Sequence, residues 1–231
     1  MAEFALCQTS SVRLFLLFAL CAAVFAQDYR GPIPAVEDTP GLSRVLLIGD
    51  SISIGYTLPV RKLLAGKANV HRITGNAGPS SNGVFLIDSW LGQQKWDVIH
   101  FNFGLHDLKR LDDGIQQVPI EAYERYLRLI VQRLKRTGAR LIWASTTPVP
   151  EGKVSPPRVP GDVHTYNARA GRIMKESGIA INDLYAFALP RLSEIQMPVN
   201  VHFTPAGSEL LGKQVAGEIE QALAKESTGT R

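Results

Sequence analysis

The sequence predicts an α/β fold in which a parallel sheet carries helices on both faces. Short apolar runs, long enough for buried strands and too short for helices, alternate along the chain with segments of helical periodicity. Neither an internal repeat nor a second core interrupts this alternation over 231 residues, a length near the upper size for one domain. We therefore expect a single domain over residues 43–231.

The strands and helices can be placed in order along this domain. The apolar runs predict strands at residues 45–48, 69–73, 96–102, 141–145 and 179–182. Helical patterns lie at residues 58–65, 84–91, 121–137, 163–177 and 206–224. Pro59 suits the first turn of the first helix, and Gly66 suits its end. Turn-forming residues predict long loops at 74–83 and 146–160, and the second loop is a candidate wall for a ligand site.

The N-terminal segment has the pattern of an export signal. Arg13 precedes an apolar run over residues 14–26, which is too short to span a bilayer comfortably and closes in small residues. We expect cleavage after Ala26, a secreted or periplasmic protein and no stable membrane insertion after cleavage; a retained anchor is the alternative. Both cysteines, Cys7 and Cys21, would leave with the signal, so the mature chain would hold no disulfide and no thiol nucleophile.

The composition after the signal narrows the classes of partner. Residues 27–42 are rich in proline, lack periodicity and predict an extended N-terminal arm. The formal net charge is +4, and the densest basic stretch, residues 125–140, spreads its charges along a helical pattern. A solvated helix face explains this spacing, so no nucleic-acid partner is expected.

The first predicted strand ends abruptly in Gly49-Asp50-Ser51. Open α/β sheets bind ligands at the carboxyl ends of their strands, so this turn would present the Ser51 hydroxyl to a ligand. Taken alone, Gly-Asp-Ser is also an ordinary turn with a serine cap. Two later blocks accompany it, Gly104-Leu105-His106-Asp107 after the third strand and Val201-His202-Phe203-Thr204-Pro205-Ala206-Gly207 before the last helix.

These blocks, in this order, resemble the SGNH (GDSL) hydrolase family over nearly all of the mature chain. The resemblance implies a flavodoxin-like three-layer α/β/α sandwich with a parallel sheet of about five strands. It also implies a serine esterase without a cofactor, which cleaves esters such as acetyl groups on carbohydrate or acyl chains on lipid. By position, Ser51 would be the nucleophile and His202 the general base that removes its proton.

Two departures from the family's pattern concern histidines. The family has an aspartate three residues before the catalytic histidine, where this chain has Val199. Asn200, a backbone carbonyl or an acid from elsewhere, such as Asp183, could orient His202 instead. His106 replaces the asparagine that donates to the oxyanion; a neutral imidazole N–H could serve there. The alternative for His106 is a loop histidine bonded to backbone carbonyls.

A third departure lies in the loop at residues 74–83, where the family supplies a glycine N–H. Counting from Asn76 puts Ser81 at this position, with Gly78 nearby, and the backbone N–H of a serine would serve equally well. A loop without a role in catalysis fits almost as well. His100 lies inside the third strand and is expected to be a core histidine, so no metal site is expected.

The function expected from these residues is an exported serine esterase that removes small acyl groups, acetyl foremost, from carbohydrate. Its partner would be a small-molecule or carbohydrate ester. A lipid or free-ester acylhydrolase of the same mechanism is the alternative within the class. The rival from another class is a non-catalytic carbohydrate-binding module on a decayed hydrolase scaffold, which the three departures would also fit.

Overall fold

The computed structural model describes residues 33–227. The expected export signal and the first part of the N-terminal arm, residues 27–32, lie outside this range. Residues 33–39 contain neither helix nor strand, and they lie against the sheet edge and the first helix. Asn69 binds both the N–H and the carbonyl of Thr39, and Arg61 donates to the carbonyl of Pro34 at 2.7 Å. Within residues 33–227, no helix is long and apolar enough to cross a membrane.

Five parallel strands form the sheet in the described part of the chain. They are β1 (Ser43–Ile48), β2 (Ala68–Arg72), β3 (Val98–Phe101), β4 (Arg140–Ala144) and β5 (Ala180–Asn182). Their spatial order is β2-β1-β3-β4-β5, which is the order of flavodoxin-like folds. β1 and β3 are central, and their apolar side chains are almost fully buried. The expected parallel sheet of about five strands is confirmed.

The helices cover both faces of this sheet. They are α1 (Ser51–Leu63), α2 (Ser80–Leu91), α3 (Ile120–Arg136), α4 (Asp162–Ser177), α5 (Leu184–Ala188), α6 (Leu192–Ile195) and α7 (Pro205–Ser227). α1 packs against α7, whereas α2 packs against α3 and α3 against α4. The two groups form the outer layers of a three-layer α/β/α sandwich, as expected. The helical pattern predicted at residues 121–137 corresponds to α3, and its apolar side chains face the core, where Tyr123, Leu127, Ile130 and Leu134 are fully buried.

The first helix begins earlier than the sequence predicts, and this corrects the role of Pro59. α1 starts at Ser51 instead of Leu58, and Pro59 lies inside it instead of in its first turn. The segment before Leu58 is rich in β-branched and small residues, which have weak helix propensity. Its helical conformation depends on a cap at Asp50 and on contact with α7. A Cβ at Gly212 of α7 would lie only 2.6 Å from Pro59 Cβ, so the two helices meet closely there.

The second helix also begins earlier, at Ser80 instead of Val84. Its first N–H donates to Asp107 Oδ1 at 2.8 Å, a cap supplied from 27 positions later in the chain. A local pattern cannot reveal such a cap. The predicted loop at 74–83 is therefore shorter, and Ser81 lies in the first turn of α2. The sequence pattern also does not predict α5 and α6, which are each shorter than two turns.

Candidate active site

Ser51 lies at the carboxyl end of β1 and is the first residue of α1. Asp50 caps this helix, because its Oδ1 accepts the N–H of Ile52 at 2.9 Å and its carbonyl accepts the Ser53 hydroxyl at 2.9 Å. A Cβ at position 49 would lie 2.9 Å from Ser53 Oγ, so the turn needs a glycine there. The hydroxyl of Ser51 is thus held at a helix N-terminus, where the helix dipole favours negative charge.

Arg72, from the edge strand β2, supports the same turn. Its Nη2 donates to the carbonyls of Gly49 and Asp50, at 2.9 and 3.1 Å, and to the Ser53 hydroxyl at 2.8 Å. Burial lowers the pKa of Arg72 to about 10, so the guanidinium keeps its charge at neutral pH. The sequence reasoning missed this residue. No local signal connects it to a turn about 20 residues earlier; only the pairing of β2 with β1 brings them together.

His202 reaches Ser51 from the turn that precedes α7. Its Nε2 lies 2.9 Å from Ser51 Oγ, and its Nδ1 lies 2.8 Å from Asn200 Oδ1. The backbone N–H of His202 donates to the same Oδ1 at 3.0 Å. A backbone N–H can only donate, so the Asn200 atom that faces it must be the oxygen, and Nδ1 must carry a proton to bond with that oxygen. The lone pair of Nε2 is then directed at the Ser51 hydroxyl.

The turn that carries His202 is held in an unusual backbone conformation. Val199 has a φ of +49°, in the left-handed region that β-branched residues rarely adopt, and its side chain is about half exposed. Gln196 Nε2 closes the turn by donating to the carbonyls of Pro148 and Val201, at 2.8 and 3.3 Å. The position of the family's aspartate thus lies at the surface. Asn200 makes the contact with the ring instead.

Asp183, the distant acid considered from the sequence, has other partners. Its Oδ1 accepts the Ser145 hydroxyl at 2.8 Å and the N–H of Ala186 at 3.1 Å, so it caps α5. Three candidates for orienting His202 are compatible with the sequence: Asn200, a backbone carbonyl and Asp183. Of these, Asn200 is the one that the structure brings to Nδ1.

His106 lies on the segment that follows β3. Its Nδ1 is 2.9 Å from Lys109 Nζ. An ammonium group can only donate, so Nδ1 accepts and the proton of a neutral ring sits on Nε2. Burial lowers the pKa of His106 to about 4; the nearby charge of Asp50 raises it, and those of Lys109, Arg158 and His202 lower it. The ring is therefore neutral at physiological pH and offers one N–H donor.

The N-terminus of α2 supplies the remaining backbone groups considered from the sequence. The N–H of Gly78 donates to Asn76 Oδ1 at 2.8 Å and is therefore already bonded within the loop. Ser81 is the second residue of α2, and N–H groups in the first turn of a helix have no acceptor within the helix. The N–H of Ser81 is thus better suited than that of Gly78 to meet a ligand.

Asp107 connects the segment after β3 to α2. Its side chain is fully buried, and its Oδ1 accepts both the N–H and the hydroxyl of Ser80. Burial raises the pKa of Asp107 to about 7, although the bonds from Ser80 lower it. Because Asp107 adjoins His106 and Ser80 adjoins Ser81, these hydrogen bonds fix the positions of His106 and Ser81 relative to each other.

His100 is a core residue, as expected from its place in a strand. It is fully buried, its Nε2 lies 3.2 Å from Asn182 Nδ2, and burial lowers its pKa to about 3. In the part of the chain that the structure describes, no three His, Cys, Asp or Glu side chains come together in a way that could hold a metal ion.

The sequence and the fold of this chain are both similar to those of known proteins. Residues 47–210 match the model of the GDSL-like lipase/acylhydrolase family. The acetyl xylan esterase AlAXEase shares the fold at 15% identity, over 76% of this chain and 99% of that chain, with a TM-score of 0.66. A lipase/acylhydrolase from Enterococcus faecalis does so at 19% identity, over 78% and 96%, with a TM-score of 0.68. No curated protein matches the sequence.

Axe2, an acetylxylan esterase from Geobacillus stearothermophilus, is a third protein of similar fold. It is 19% identical, over 77% of this chain and 94% of that chain, with a TM-score of 0.64. Solved catalytic mutants of Axe2 replace a serine, a histidine or an aspartate three residues before that histidine with alanine. At these identities the likeness to solved structures shows the fold alone.

Proposed function

Because the chain belongs to the GDSL-like lipase/acylhydrolase family and is a serine ester hydrolase, we propose that it removes acetyl or similarly small acyl groups from carbohydrate. The observation that carries this proposal is the 2.9 Å contact between Ser51 Oγ and His202 Nε2. The preference for acetyl groups on carbohydrate draws support from the acetyl xylan esterases among the proteins of similar fold. A lipid or free-ester substrate is the alternative within the class.

In the first half of the proposed reaction, Ser51 Oγ attacks the ester carbonyl while His202 Nε2 takes the hydroxyl proton. The tetrahedral intermediate collapses when the carbon–oxygen bond to the alcohol breaks, and His202 gives the proton to the leaving alcohol. In the second half, water attacks the acyl group on Ser51, with His202 again as the base, and the carboxylic acid leaves. Asn200 keeps Nδ1 protonated throughout, so Nε2 is always the atom that exchanges the proton.

Three N–H groups are proposed to stabilise the oxyanion of the tetrahedral intermediate. Two are the backbone N–H groups of Ser51 and Ser81, which lie in the first turns of α1 and α2. Their helix dipoles favour the negative charge that develops there. The third is the Nε2–H of His106, since this ring is neutral and its Nδ1 is bonded to Lys109.

The rival proposal, a non-catalytic binding module, rests on the loss of the family's aspartate at position 199. A decayed site has no reason to keep a histidine in one tautomer with its lone pair on a serine. In this protein the contact with Ser51 and the bond to Asn200 are both present, and Arg72 still supports the serine turn. These contacts favour the esterase.

We further propose that the enzyme is exported. The support is the basic residue Arg13 followed by the apolar run at 14–26, which ends in small residues. Export would bring the enzyme to the polymeric carbohydrate outside the cell.

The test of the catalytic proposal is hydrolysis of an aryl acetate by purified protein. Ser51→Ala and His202→Ala should each lower kcat by about 10⁴-fold or more, and the double variant should be little worse, because the pair acts as a unit. Asn200→Ala should lower kcat by up to about 10⁴-fold, since the ring loses its fixed tautomer. A fluorophosphonate probe should label wild-type protein and not Ser51→Ala.

The matched control is Ser89→Ala, at an exposed position of α2, which should keep wild-type turnover. Wild-type activity in Ser51→Ala or His202→Ala would refute the proposed roles. A series of aryl esters with longer acyl chains separates the alternatives, because an acetylesterase should lose kcat/KM as the chain lengthens and a lipid acylhydrolase should gain it.

A further inference from the structure

Two cations, Arg158 and Lys109, lie beside the candidate active site without an acidic partner; we refer to them as the cationic pair. The proposed reaction gives Arg158 no role and uses Lys109 only to fix the tautomer of His106. Hydrolysis of a neutral ester needs no cationic side chain in contact with the substrate. Among the described residues, no carboxylate forms an ion pair with either side chain. Charges placed like this need an explanation, because proteins normally pair a buried charge.

Arg158 is the more buried of the two. Only 7% of the residue is exposed. Its Nε donates to the carbonyl of Leu105 at 2.9 Å, and its Nη1 donates to the carbonyl of Pro156 at 3.0 Å. No described residue accepts a hydrogen bond from Nη2. Burial lowers the pKa of Arg158, but a guanidinium stays charged in proteins. Two backbone carbonyls therefore fix its orientation, and neither neutralises it.

Lys109 is half-buried and contacts the site directly. Its Nζ donates to Nδ1 of His106 at 2.9 Å, which uses one of its three N–H bonds. Burial and the charge of Arg158 lower the pKa of Lys109, while the charge of Asp50 raises it. The backbone N–H of Arg110 donates to the carbonyl of Pro157 at 2.8 Å, so Lys109 and Arg158, which adjoin this bond, lie close together and their charges repel. The charge of Asp50 raises the pKa of Arg158, but the two side chains form no ion pair. An anion between the two cations would relieve their repulsion and contact both.

The cationic pair is attached to the segment that follows β3, next to the Ser51 turn. Arg158 bonds to Leu105, and Lys109 bonds to His106. Leu105 and Asp50 line the same small internal cavity, so this segment lies directly against the serine turn. The cationic pair is therefore placed to meet a group of the substrate close to its ester bond.

We propose that the substrate is an ester that carries a carboxylate near its ester bond, and that Arg158 and Lys109 bind this carboxylate. The inference rests on the proposed function and names the class of ester that the same site would take: an acylated acidic saccharide in preference to a neutral one. A carboxylate matches the donors available, because the Nη2 of Arg158 and the ammonium of Lys109 can each donate to one of its oxygens. The competing explanation is that Arg158 only anchors the loop at 146–160.

The test compares two probes that differ by one charge, para-acetoxybenzoate and its methyl ester. Charge-assisted hydrogen bonds are worth enough to favour the anionic probe by about 10–100-fold in kcat/KM at low salt. Lys109→Met and Arg158→Met should each reduce this preference by about tenfold or more. Lys109→Met also removes a contact with His106 and so slows both probes; the ratio between them isolates the effect of charge.

The matched control is Lys175→Met, the same substitution at an exposed position in the last turn of α4. Its preference for the anion should equal that of the wild type. Raising the salt concentration from about 0.02 M to about 0.5 M should weaken the wild-type preference, because ions screen partly exposed charges. If Arg158→Met does not fold, Lys109→Met and the salt series decide the question.

The outcomes separate this inference from the one on which it rests. Equal rates for both probes, or a preference that survives Lys109→Met and high salt, would overturn the carboxylate site and leave the esterase intact. Failure to hydrolyse either probe, with no labelling of Ser51 by a fluorophosphonate, would instead refute the proposed catalytic function.

Discussion

At the residue scale, His106 shows how neighbours select one protonation state and one tautomer. Burial keeps the ring neutral, and Lys109 occupies its Nδ1, so that the only N–H left is on Nε2. Asparagine, which the family has at this position, also offers an N–H donor without a charge. The replacement therefore preserves the chemistry that an oxyanion requires while changing the side chain.

Replacing His106 tests this role. His106→Ala should lower kcat on an aryl acetate by about 10²–10³-fold with KM nearly unchanged, because the donor acts where charge develops. His106→Asn should recover part of the loss. If His106 is only structural, His106→Ala will lower the melting temperature and leave the kcat of the folded protein close to that of the wild type. Measuring kcat, KM and thermal stability for both variants decides between these roles.

Asn200 is the second residue whose chemistry differs from the family's pattern, because it contacts His202 where the family has an aspartate. An amide oxygen can fix the tautomer of His202 as a carboxylate does, but it brings no negative charge to stabilise the imidazolium. In the proposed mechanism, Asn200 orients His202 as the aspartate would but does not stabilise its positive charge. Val199, where the aspartate would stand, lies half exposed in a left-handed conformation.

At the scale of elements, the N-terminus of α2 and the segment after β3 form one unit through Asp107. Its carboxyl caps the helix and is buried without an ionic partner. Burial raises its pKa to about 7, from about 3.8 in an unfolded chain. Between these values the folded state keeps a proton that the unfolded state has lost. The stabilisation by the protonated form is therefore complete below about pH 4 and is lost as the pH rises through 7.

The direction of this pKa shift predicts how Asp107 affects the stability of the fold as the pH changes. Between about pH 4 and pH 7, the titration of Asp107 should lower the free energy of unfolding by an amount on the order of 2–4 kcal/mol. His100 and His106 act in the opposite direction, because burial lowers their pKa values and the folded state then binds fewer protons than the unfolded state. Asp107→Asn keeps an acceptor for Ser80 and cannot ionise, so its free energy of unfolding should rise more with pH over this range than that of the wild type. Urea unfolding at several pH values measures the effect. Asp88→Asn, at an exposed position of the same helix, is the control and should leave the slope unchanged.

An Asp107→Asn variant with the same slope as the wild type would show that folding does not raise the pKa of Asp107. A variant whose free energy of unfolding rises less with pH than that of the wild type would mean that the folded state favours the ionised carboxylate.

At the scale of the whole molecule, the strands were easier to predict than the helix starts. All five strands lie where apolar runs predict them, because a strand buried on both faces needs an unbroken apolar segment. The starts of α1 and α2 were misplaced, since both depend on caps and packing partners that periodicity does not carry. Asp107 caps α2 from a distant block, and α7 packs against the weak helical sequence of α1.

The residues of the candidate site also differ in whether the sequence predicts them. Motif blocks led to Ser51, His202 and His106, and the structure brings the first two within hydrogen-bond distance. Arg72 and the cationic pair were missed. Each acts through a backbone carbonyl or a charge contributed by another element, and sequence spacing contains no record of such contacts.

Export is the prediction that concerns the whole chain. Protein recovered from outside the cells of its native host should begin near Gln27, because the apolar run at 14–26 ends in the residues that a signal peptidase accepts. Mass spectrometry of the intact secreted protein measures this directly. A variant with Leu16→Arg and Leu17→Arg should stay inside the cell, as charges abolish the apolar run. A secreted protein that keeps residues 1–26 would contradict the prediction.

The close packing of α1 against α7 has a consequence for the order of events during synthesis. Ser51 leads the helix that follows the first strand, yet its partner His202 is 151 positions later, and Gly212 of α7 receives Pro59. The ribosome synthesises the chain from its N-terminus, so Ser51 is made long before His202 and before α7, the packing partner of α1. Ribosome-bound chains that end before His202 therefore lack one half of the proposed catalytic pair. The topology of the fold therefore delays the contact between Ser51 and His202 until most of the chain has been translated.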